Sequence, residues 1–264
     1  MKYTDQGLAC FLPPFAGNVT AHPPKDNEKH SHRFSASQPF TSTLSRIIYI
    51  SMTNSYPNTP NNNTSSHPPL VLASISPRRR ELLGSLGIPF EIIPSGVDES
   101  RLQAPTPREF AILAAKEKCL DVARRQSSGT IVVAADTIVC VPNDSQPGET
   151  ILGKPSGPEE ARAMLGRLSG RTHRVITGVA VQTSRGEILT DTEETLVRFR
   201  PLSAEEIADY VATGEPLDKA GAYGAQGLGV RLIESVEGDF TNVIGLPMDL
   251  LRRLLAQDDI VQIG

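Results

Sequence analysis

Residues 74–80 carry side chains suited to binding a phosphate chain. They read Ser-Ile-Ser-Pro-Arg-Arg-Arg and follow an apolar run at 70–73. Ser76 followed by Pro77 predicts a helix start, because serine is a favoured N-cap and proline suits the first helical position. A helix N-terminus attracts anions, and hydroxyl and guanidinium groups beside it bind phosphate oxygens; an ordinary cap with solvated arginines is the alternative interpretation. The candidate phosphate ligands are Ser74, Ser76, Arg78 and Arg79.

Two acidic residues occur where they could bind a metal ion or an attacking water. Asp136 follows the apolar run at 130–135, which reads as a buried strand, and Glu99 follows a second predicted strand at 90–93. In open α/β sheets, ligands bind beyond the carboxyl ends of strands. Carboxylates there can hold a divalent cation or accept a proton from water. A turn aspartate that caps the next segment is the alternative interpretation of Asp136.

Three lysines and a glutamine complete the set of candidate residues. Lys154 lies between a glycine and a proline on a connection. Lys116 lies among apolar residues of a predicted helix, where a lysine needs an anionic partner or must extend to water. Residues 219–229, here called the glycine-rich loop, contain four glycines that let the backbone approach a ligand closely. This loop carries Lys219 and Gln226 as candidate ligands, and residues 238–247 read as an ordered functional loop.

Helices and strands must alternate along the chain to position these residues. Helices are predicted from residue 76 to 87, from 106 to about 125, and at 158–168, 204–213 and 247–255. Strands are predicted at 70–73, 90–93, 130–135, 174–182, 188–199 and 229–235. The segments at 174–182 and 188–199 form a predicted hairpin, which adds antiparallel pairing to an interleaved order. The predicted fold is therefore α/β, with a mixed sheet and flanking helices.

Composition divides the 264-residue chain near residue 69. Residues 1–68 are rich in Ser, Thr, Asn and Pro and are predicted to be a disordered extension. A targeting segment and a true start at Met52 are the alternatives left open. Residues 69–264 are predicted to be the folded domain.

Charge and cysteine usage limit the partners that we expect. The net charge of −4 and the absence of a long apolar run argue against nucleic acid and a membrane. Cys10, Cys119 and Cys140 form no recognisable metal or disulfide motif, so we interpret them as free thiols in a reducing compartment. A cytoplasmic location is therefore expected.

Taken in order, the candidate segments resemble the Maf family of nucleotide pyrophosphatases. The matching phrases are LASISPRRRELL, VDES, VVAADTIV, LGKP, Thr177-Gly178-Val179, KAGAYGAQG and GDFTNVIGLP. The resemblance implies an elongated α/β fold with two lobes around a central cleft, as in inosine-triphosphate-pyrophosphatase-like proteins. It implies that a nucleoside triphosphate is hydrolysed between its α and β phosphates with Mg²⁺ or Mn²⁺ as cofactor. It also implies a homodimer.

The resemblance assigns roles to particular residues. Asp136 matches the family's proton acceptor and is expected to bind the metal together with Glu99. Other polar cleft positions of the family are matched by Ser74, Arg79, Lys116 and Lys154. Positions that separate the branches of the family are matched by Arg78, Thr137 and Gln226.

These branch positions indicate the base that is recognised. A glutamine amide both donates and accepts, as the edge of uracil or thymine requires. The branch that acts on 7-methyl-GTP carries Trp, Gln and Glu at the three positions, whereas this chain contains no tryptophan. The expected substrates are dTTP, UTP and 5-modified uridine triphosphates.

Three other functions are alternatives to this one. A pyrophosphatase for 7-methyl-GTP, or for deaminated purine triphosphates such as ITP and XTP, is the nearest. A non-catalytic nucleotide-binding regulator of cell division is the second, because the family is associated with inhibition of septum formation; the presence of Asp136, Lys154 and Glu99 argues against it. The third is a nucleic-acid-binding protein, but the three arginines at 78–80 offer too few phosphate contacts for useful affinity.

Overall fold

The computed structural model describes residues 68–143 and 148–258. Its strands are β1 (Leu70–Leu72), β2 (Glu91–Ile92), β3 (Ile131–Pro142), β4 (Glu149–Leu152), β5 (Thr172–Gln182), β6 (Ile188–Phe199) and β7 (Ile233–Glu237). Its α-helices are α1 (Pro77–Gly84), α2 (Pro107–Ala123), α3 (Pro158–Leu168), α4 (Ala204–Ala212), α5 (Phe240–Ile244) and α6 (Met248–Leu255). Short 3₁₀ helices occupy Glu99–Arg101, Glu215–Asp218, Ala220–Ala222, Gly227–Leu232 and Ala256–Asp258. The predictions for Cys10 and for the extension up to residue 67 lie outside the described residues.

The strands form one mixed sheet. Among the described residues, one edge of β3 is paired near both ends of the strand but has an opening at its middle. The strand order is β2-β1-β3-β5-β6-β7, and β4 also pairs with β3. On the edge of β3 opposite β5, β1 pairs in parallel with residues 131–133 and β4 pairs antiparallel with residues 139–142. Within the described chain, no strand pairs with residues 134–138 on that edge. Asp136 and Thr137 lie in this opening.

Alternate side chains of β3 point to opposite faces of the sheet, and those on one face contribute to two hydrophobic cores. On one face, Val133 packs in a first core with residues of β1, α1 and α6. Farther along the same face, Val139 packs in a second core with residues of α3, α4 and β6. Each core forms one lobe, so the predicted α/β fold with two lobes is confirmed.

Helix α2 covers the opposite face of the sheet. Its buried residues lie along one face of the helix and are Ala111, Ala114, Ala115, Cys119 and Val122. The helix lies very close to the sheet at Gly178 of β5, where an added Cβ would lie 2.1 Å from the carbonyl oxygen of Ala111. Gly178 pairs with Asp136 in the sheet, so this glycine brings α2 close to the opening in β3.

Most of the predicted elements are confirmed, and two expectations about strands are wrong. Helix α3 and strand β6 have the predicted bounds, and Ser203 begins α4 through a capping box. Asp136 lies in the middle of β3 rather than after a strand, because the apolar residues 138–141 continue the strand. Residues 229–235 divide between a 3₁₀ helix and β7, and the predicted loop at 238–247 contains α5. Strand β4 was not predicted.

Two predictions drawn from composition also concern the described residues. Cys119 and Cys140 are buried free thiols, as expected. No helix in the described ranges is long and apolar enough to cross a membrane.

Candidate active site

Asp136 is a nearly buried carboxylate at the opening in β3. Only 4% of the residue is exposed, and Lys118 of α2 donates from Nζ to Asp136 Oδ1 over 2.6 Å. The same ammonium group lies 2.5 Å from Glu99 Oε1. Glu99 begins the 3₁₀ helix Glu99–Arg101, and its side chain is 43% exposed. Lys118 therefore supplies the opposite charge that a buried carboxylate requires.

The lysine in the cleft is Lys118, which corrects the sequence-based choice of Lys116. Lys116 is exposed and does not line the cleft, because residues two positions apart on a helix face different directions. Lys118 follows Ala114 and Ala115 by four and three residues and so belongs to the buried stripe of α2. That stripe is the sequence signal that could have identified Lys118.

Arg79 extends from the first turn of α1 and is held by three acceptors. Its Nε donates to the Gly245 carbonyl oxygen over 2.8 Å, and Nη2 donates to Thr137 Oγ1 over 3.0 Å. A longer contact of 3.4 Å joins Nη1 to Ser74 Oγ. Because the guanidinium is planar, these three directions fix its orientation.

A chain of polar contacts behind Arg79 supports this orientation. The Thr137 hydroxyl lies 2.9 Å from that of Thr177, which donates to the Asn242 carbonyl oxygen over 3.2 Å. Sequence reasoning did not identify Thr177 or Asn242 as members of this network. Burial lowers the pKa of Arg79 from its ordinary value, and the charge of Asp136 opposes that change. The guanidinium nevertheless stays charged at neutral pH, since its ordinary pKa is far higher.

The start of α1 has the predicted arrangement. Ser76 is the N-cap and accepts a hydrogen bond from the Arg79 N–H over 3.4 Å, with Pro77 as the first helical residue. The Ser76 N–H donates to Ser74 Oγ over 3.2 Å. Arg78 is half-buried and lines the cleft. These contacts place hydroxyl and guanidinium groups along one wall of the cleft.

A cavity of about 750 Å³ lies between the two lobes. Its charged lining residues are Arg78, Arg79, Lys118, Lys154, Lys219, Glu99, Asp136 and Asp218. Five cations therefore face three carboxylates, an excess that suits a polyanionic ligand. Ser74, Ser76 and Thr137 add hydroxyl groups to the lining.

Gln226, like Lys116, is a predicted site residue that does not line this cavity. It is half-buried directly after Ala225, which is a lining residue. Lys219, at the start of the glycine-rich loop, donates from Nζ to the Glu215 carbonyl oxygen and to Asp218 Oδ1, each over 2.6 Å. The Gly221 N–H donates to the Gly153 carbonyl oxygen, so the loop also contacts the connection that carries Lys154.

Glu99 and Asp136 are the side chains best suited to hold a divalent metal. Across the described ranges, no group of three or more His, Cys, Asp or Glu side chains could hold a metal ion. Mg²⁺ is commonly bound by one or two carboxylates together with substrate phosphates. Two carboxylates at the cleft fit a metal that binds with a phosphate substrate.

Comparisons with known proteins relate this arrangement to one family. The family model described as Maf-like protein matches residues 69–258. A dTTP/UTP pyrophosphatase from Symbiobacterium thermophilum is 50% identical over 188 residues, covering 71% of this chain and 93% of the relative. One from Moorella thermoacetica is 49% identical over 190 residues, covering 71% of this chain and 93% of the relative. Among solved structures, a HAM1 protein from Coxiella burnetii matches with a TM-score of 0.40 and 18% identity, covering 71% of this chain and 98% of that protein.

Proposed function

This chain belongs to the Maf-like protein family, and from that premise we propose that it hydrolyses dTTP and UTP to the nucleoside monophosphate and pyrophosphate. Relatives that are 45–50% identical over about seven-tenths of the chain carry the name dTTP/UTP pyrophosphatase. The chain is therefore a nucleoside triphosphate pyrophosphatase, a hydrolase of acid anhydrides. Modified uridine triphosphates are proposed as additional substrates.

The location of Asp136 is the main support for the proposed chemistry. The nearly buried Asp136 lies in a cavity whose cations outnumber its carboxylates. A triphosphate has several negative charges, and catalysis of its hydrolysis consists mainly of positioning and electrostatic stabilisation. Arg79, Lys118 and Lys154 are the cations that we assign to the phosphate oxygens.

Asp136 and Arg79 have different proposed roles in the hydrolysis. A water oxygen bonds to phosphorus, the bond to the oxygen bridging the α and β phosphates breaks, and pyrophosphate leaves. We assign Asp136 as the base that takes the proton from that water. Arg79 is oriented before substrate binds by its contacts with Gly245 and Thr137, so it needs little reorganisation to stabilise the developing charge.

We propose Mg²⁺ or Mn²⁺ as the cofactor, bound by Asp136 and Glu99. When bound, the metal would neutralise phosphate charge and polarise the bond that is cleaved. The two carboxylates face the cavity, and substrate oxygens would complete the ligand set.

Selection of the base is assigned to Arg78, Thr137 and Gln226. Arg78 occupies the position where the 7-methyl-GTP branch carries tryptophan, whose face suits a cationic base. The Gln226 amide can pair with the edge of uracil or thymine. A cytoplasmic location, which the cysteine usage suggests, and a homodimer, which the family suggests, are further proposals.

Pyrophosphate release from a panel of nucleoside triphosphates tests this function. The panel contains dTTP, UTP, ITP, XTP and 7-methyl-GTP, each assayed with Mg²⁺ and with Mn²⁺. We expect the highest kcat/KM for dTTP and UTP, with the monophosphate as the second product. A preference for 7-methyl-GTP, ITP or XTP would be consistent with the proposed hydrolysis but would refute the proposed preference for uracil and thymine. Nucleotide binding without hydrolysis of any member would instead support the regulatory alternative.

A further inference from the structure

We propose that Glu215 and Tyr210 are positioning residues that hold the glycine-rich loop in the conformation that selects the base. This inference rests on the proposed function, because it concerns how the same cavity distinguishes substrates. Neither residue lines the cavity. Both act through the loop that carries Lys219, Ala225 and Gln226.

The Glu215 carboxylate binds backbone N–H groups on the far side of Gln226. Its Oε2 accepts from the Leu228 N–H and its Oε1 from the Gly229 N–H, each over 3.0 Å. Hydrogen bonds to a charged acceptor are stronger than neutral ones, so these two contacts fix the end of the loop. The Glu215 carbonyl oxygen also accepts from Lys219 Nζ, so one residue contacts both ends of the loop.

Tyr210 extends this arrangement to the near side of Gln226. Its hydroxyl donates to Glu215 Oε1 over 2.9 Å and accepts from the Gly224 N–H over 3.2 Å. Only 6% of Tyr210 is exposed, and its ring packs in the second core. Burial raises the pKa of Tyr210 above its ordinary value, which keeps the hydroxyl protonated and able to donate. Tyr210 and Glu215 therefore bind backbone N–H groups of the loop on both sides of Gln226, and Tyr210 is itself packed in the second core.

Two glycines show how closely the loop fits against these residues. Gly227 has a φ of +69°, and an added Cβ would lie 2.8 Å from Glu215 Oε2. At Gly229, a Cβ would lie 2.5 Å from the Tyr210 hydroxyl oxygen and 2.3 Å from the Gly224 carbonyl oxygen. Distances this short leave room only for glycine at the two positions. The loop conformation therefore depends on close packing of its glycines against Glu215 and Tyr210.

The loop residues beside Gln226 and the pair formed by Asp136 and Lys118 belong to separate parts of the cavity lining. Asp136 and Lys118 contact each other on β3 and α2, whereas Gly224 and Ala225 are the loop residues next to Gln226 that line the cavity. Loosening the loop should therefore weaken discrimination between bases while the hydrolytic groups keep their contacts.

Tyr210→Phe and Glu215→Gln test this separation. Glu206→Gln is the matched control, because Glu206 also accepts a backbone N–H, that of Ser203, but lies at the start of α4 and pairs with Arg200. The measurement is steady-state kcat and KM for dTTP and for ITP. We expect the dTTP-to-ITP ratio of kcat/KM to fall about tenfold in both loop variants, mainly through a higher KM for dTTP. The ratio should be unchanged in the control.

The possible outcomes distinguish this inference from the proposed function. A wild-type enzyme that hydrolyses no nucleoside triphosphate overturns both. A wild-type enzyme that prefers dTTP, with loop variants that keep the preference or lose activity equally on both substrates, overturns the inference alone. Tyr210→Phe keeps the aromatic ring in the core, so it decides the matter if Glu215→Gln does not fold.

Discussion

Replacing Lys118 with alanine should impair the enzyme far more than replacing Lys116. The two lysines lie on the same helix, two residues apart, and have the same charge. Lys118 contacts Asp136 and Glu99, and its side chain is 12% exposed. Lys116 is exposed outside the cavity. The pair therefore separates the effect of position from the effect of net charge.

The structure sets the size of the expected effects. Both carboxylate oxygens contact the same nitrogen, so they lie no more than about 5 Å apart once the lysine is removed. At an effective dielectric constant of about 20, the repulsion between the two carboxylates is about 3 kcal/mol, and in Lys118→Ala the ammonium group no longer offsets it. Because Glu99 is partly exposed, solvent screening should reduce the loss of unfolding free energy to about 2 kcal/mol. Loss of a charged contact to phosphate should lower kcat/KM for dTTP by about 10²-fold.

Denaturant titration and steady-state kinetics of the two variants measure these effects. Lys116→Ala should stay within about 0.5 kcal/mol of the wild-type stability and within about twofold of its kcat/KM. If Lys118→Ala behaved like Lys116→Ala in both assays, the proposed role of the lysine between the two carboxylates would be refuted.

Three further substitutions test other parts of the molecule. Arg79→Lys keeps the positive charge but loses the planar set of donors, so kcat/KM for dTTP in steady-state assays should fall about tenfold. A wild-type kcat/KM would show that the charge alone is sufficient. Gly178→Ala places a methyl group against the Ala111 carbonyl oxygen, so the free energy of unfolding measured in denaturant should fall by about 3 kcal/mol; no loss would mean that α2 shifts freely. Burial lowers the pKa of His173 from 6.5 to about 4, so its contribution to stability is complete above pH 6.5 and is lost as the pH falls toward 4. Between pH 7 and pH 4.5, the wild type should lose about 2 kcal/mol more unfolding free energy than His173→Gln in denaturant titrations; equal losses would contradict the lowered pKa.

Features that depend on neighbouring residues were predicted well from the sequence. The Ser76 cap involves a contact to a residue three positions ahead, so the residue types alone indicate where α1 begins. The β5–β6 hairpin follows from two alternating strands and a short glycine-containing turn.

Features that depend on distant contacts were predicted less well. The polar pair at 136–137 suggested a strand end, yet pairing with β5 continues through both residues. Residues 229–232 have an apolar pattern typical of a strand, but the contacts of Gly229 with Glu215 and Gly224 require a tighter turn. Likewise, Lys118 differs from Lys116 only in its angle around α2, and the packing of that helix on the sheet decides which of them enters the cleft.

The role of Asp136 as the base is tested by comparing hydrolysis and nucleotide binding in Asp136→Asn. The substitution preserves the size of the side chain but removes a carboxylate that can accept a proton from water. We expect kcat to fall by roughly 10³-fold. We also expect the Kd for a non-hydrolysable α,β-imido analogue of dTTP, measured by equilibrium dialysis without added metal, to change by no more than about threefold. An unchanged kcat would contradict the assignment of Asp136 as the base.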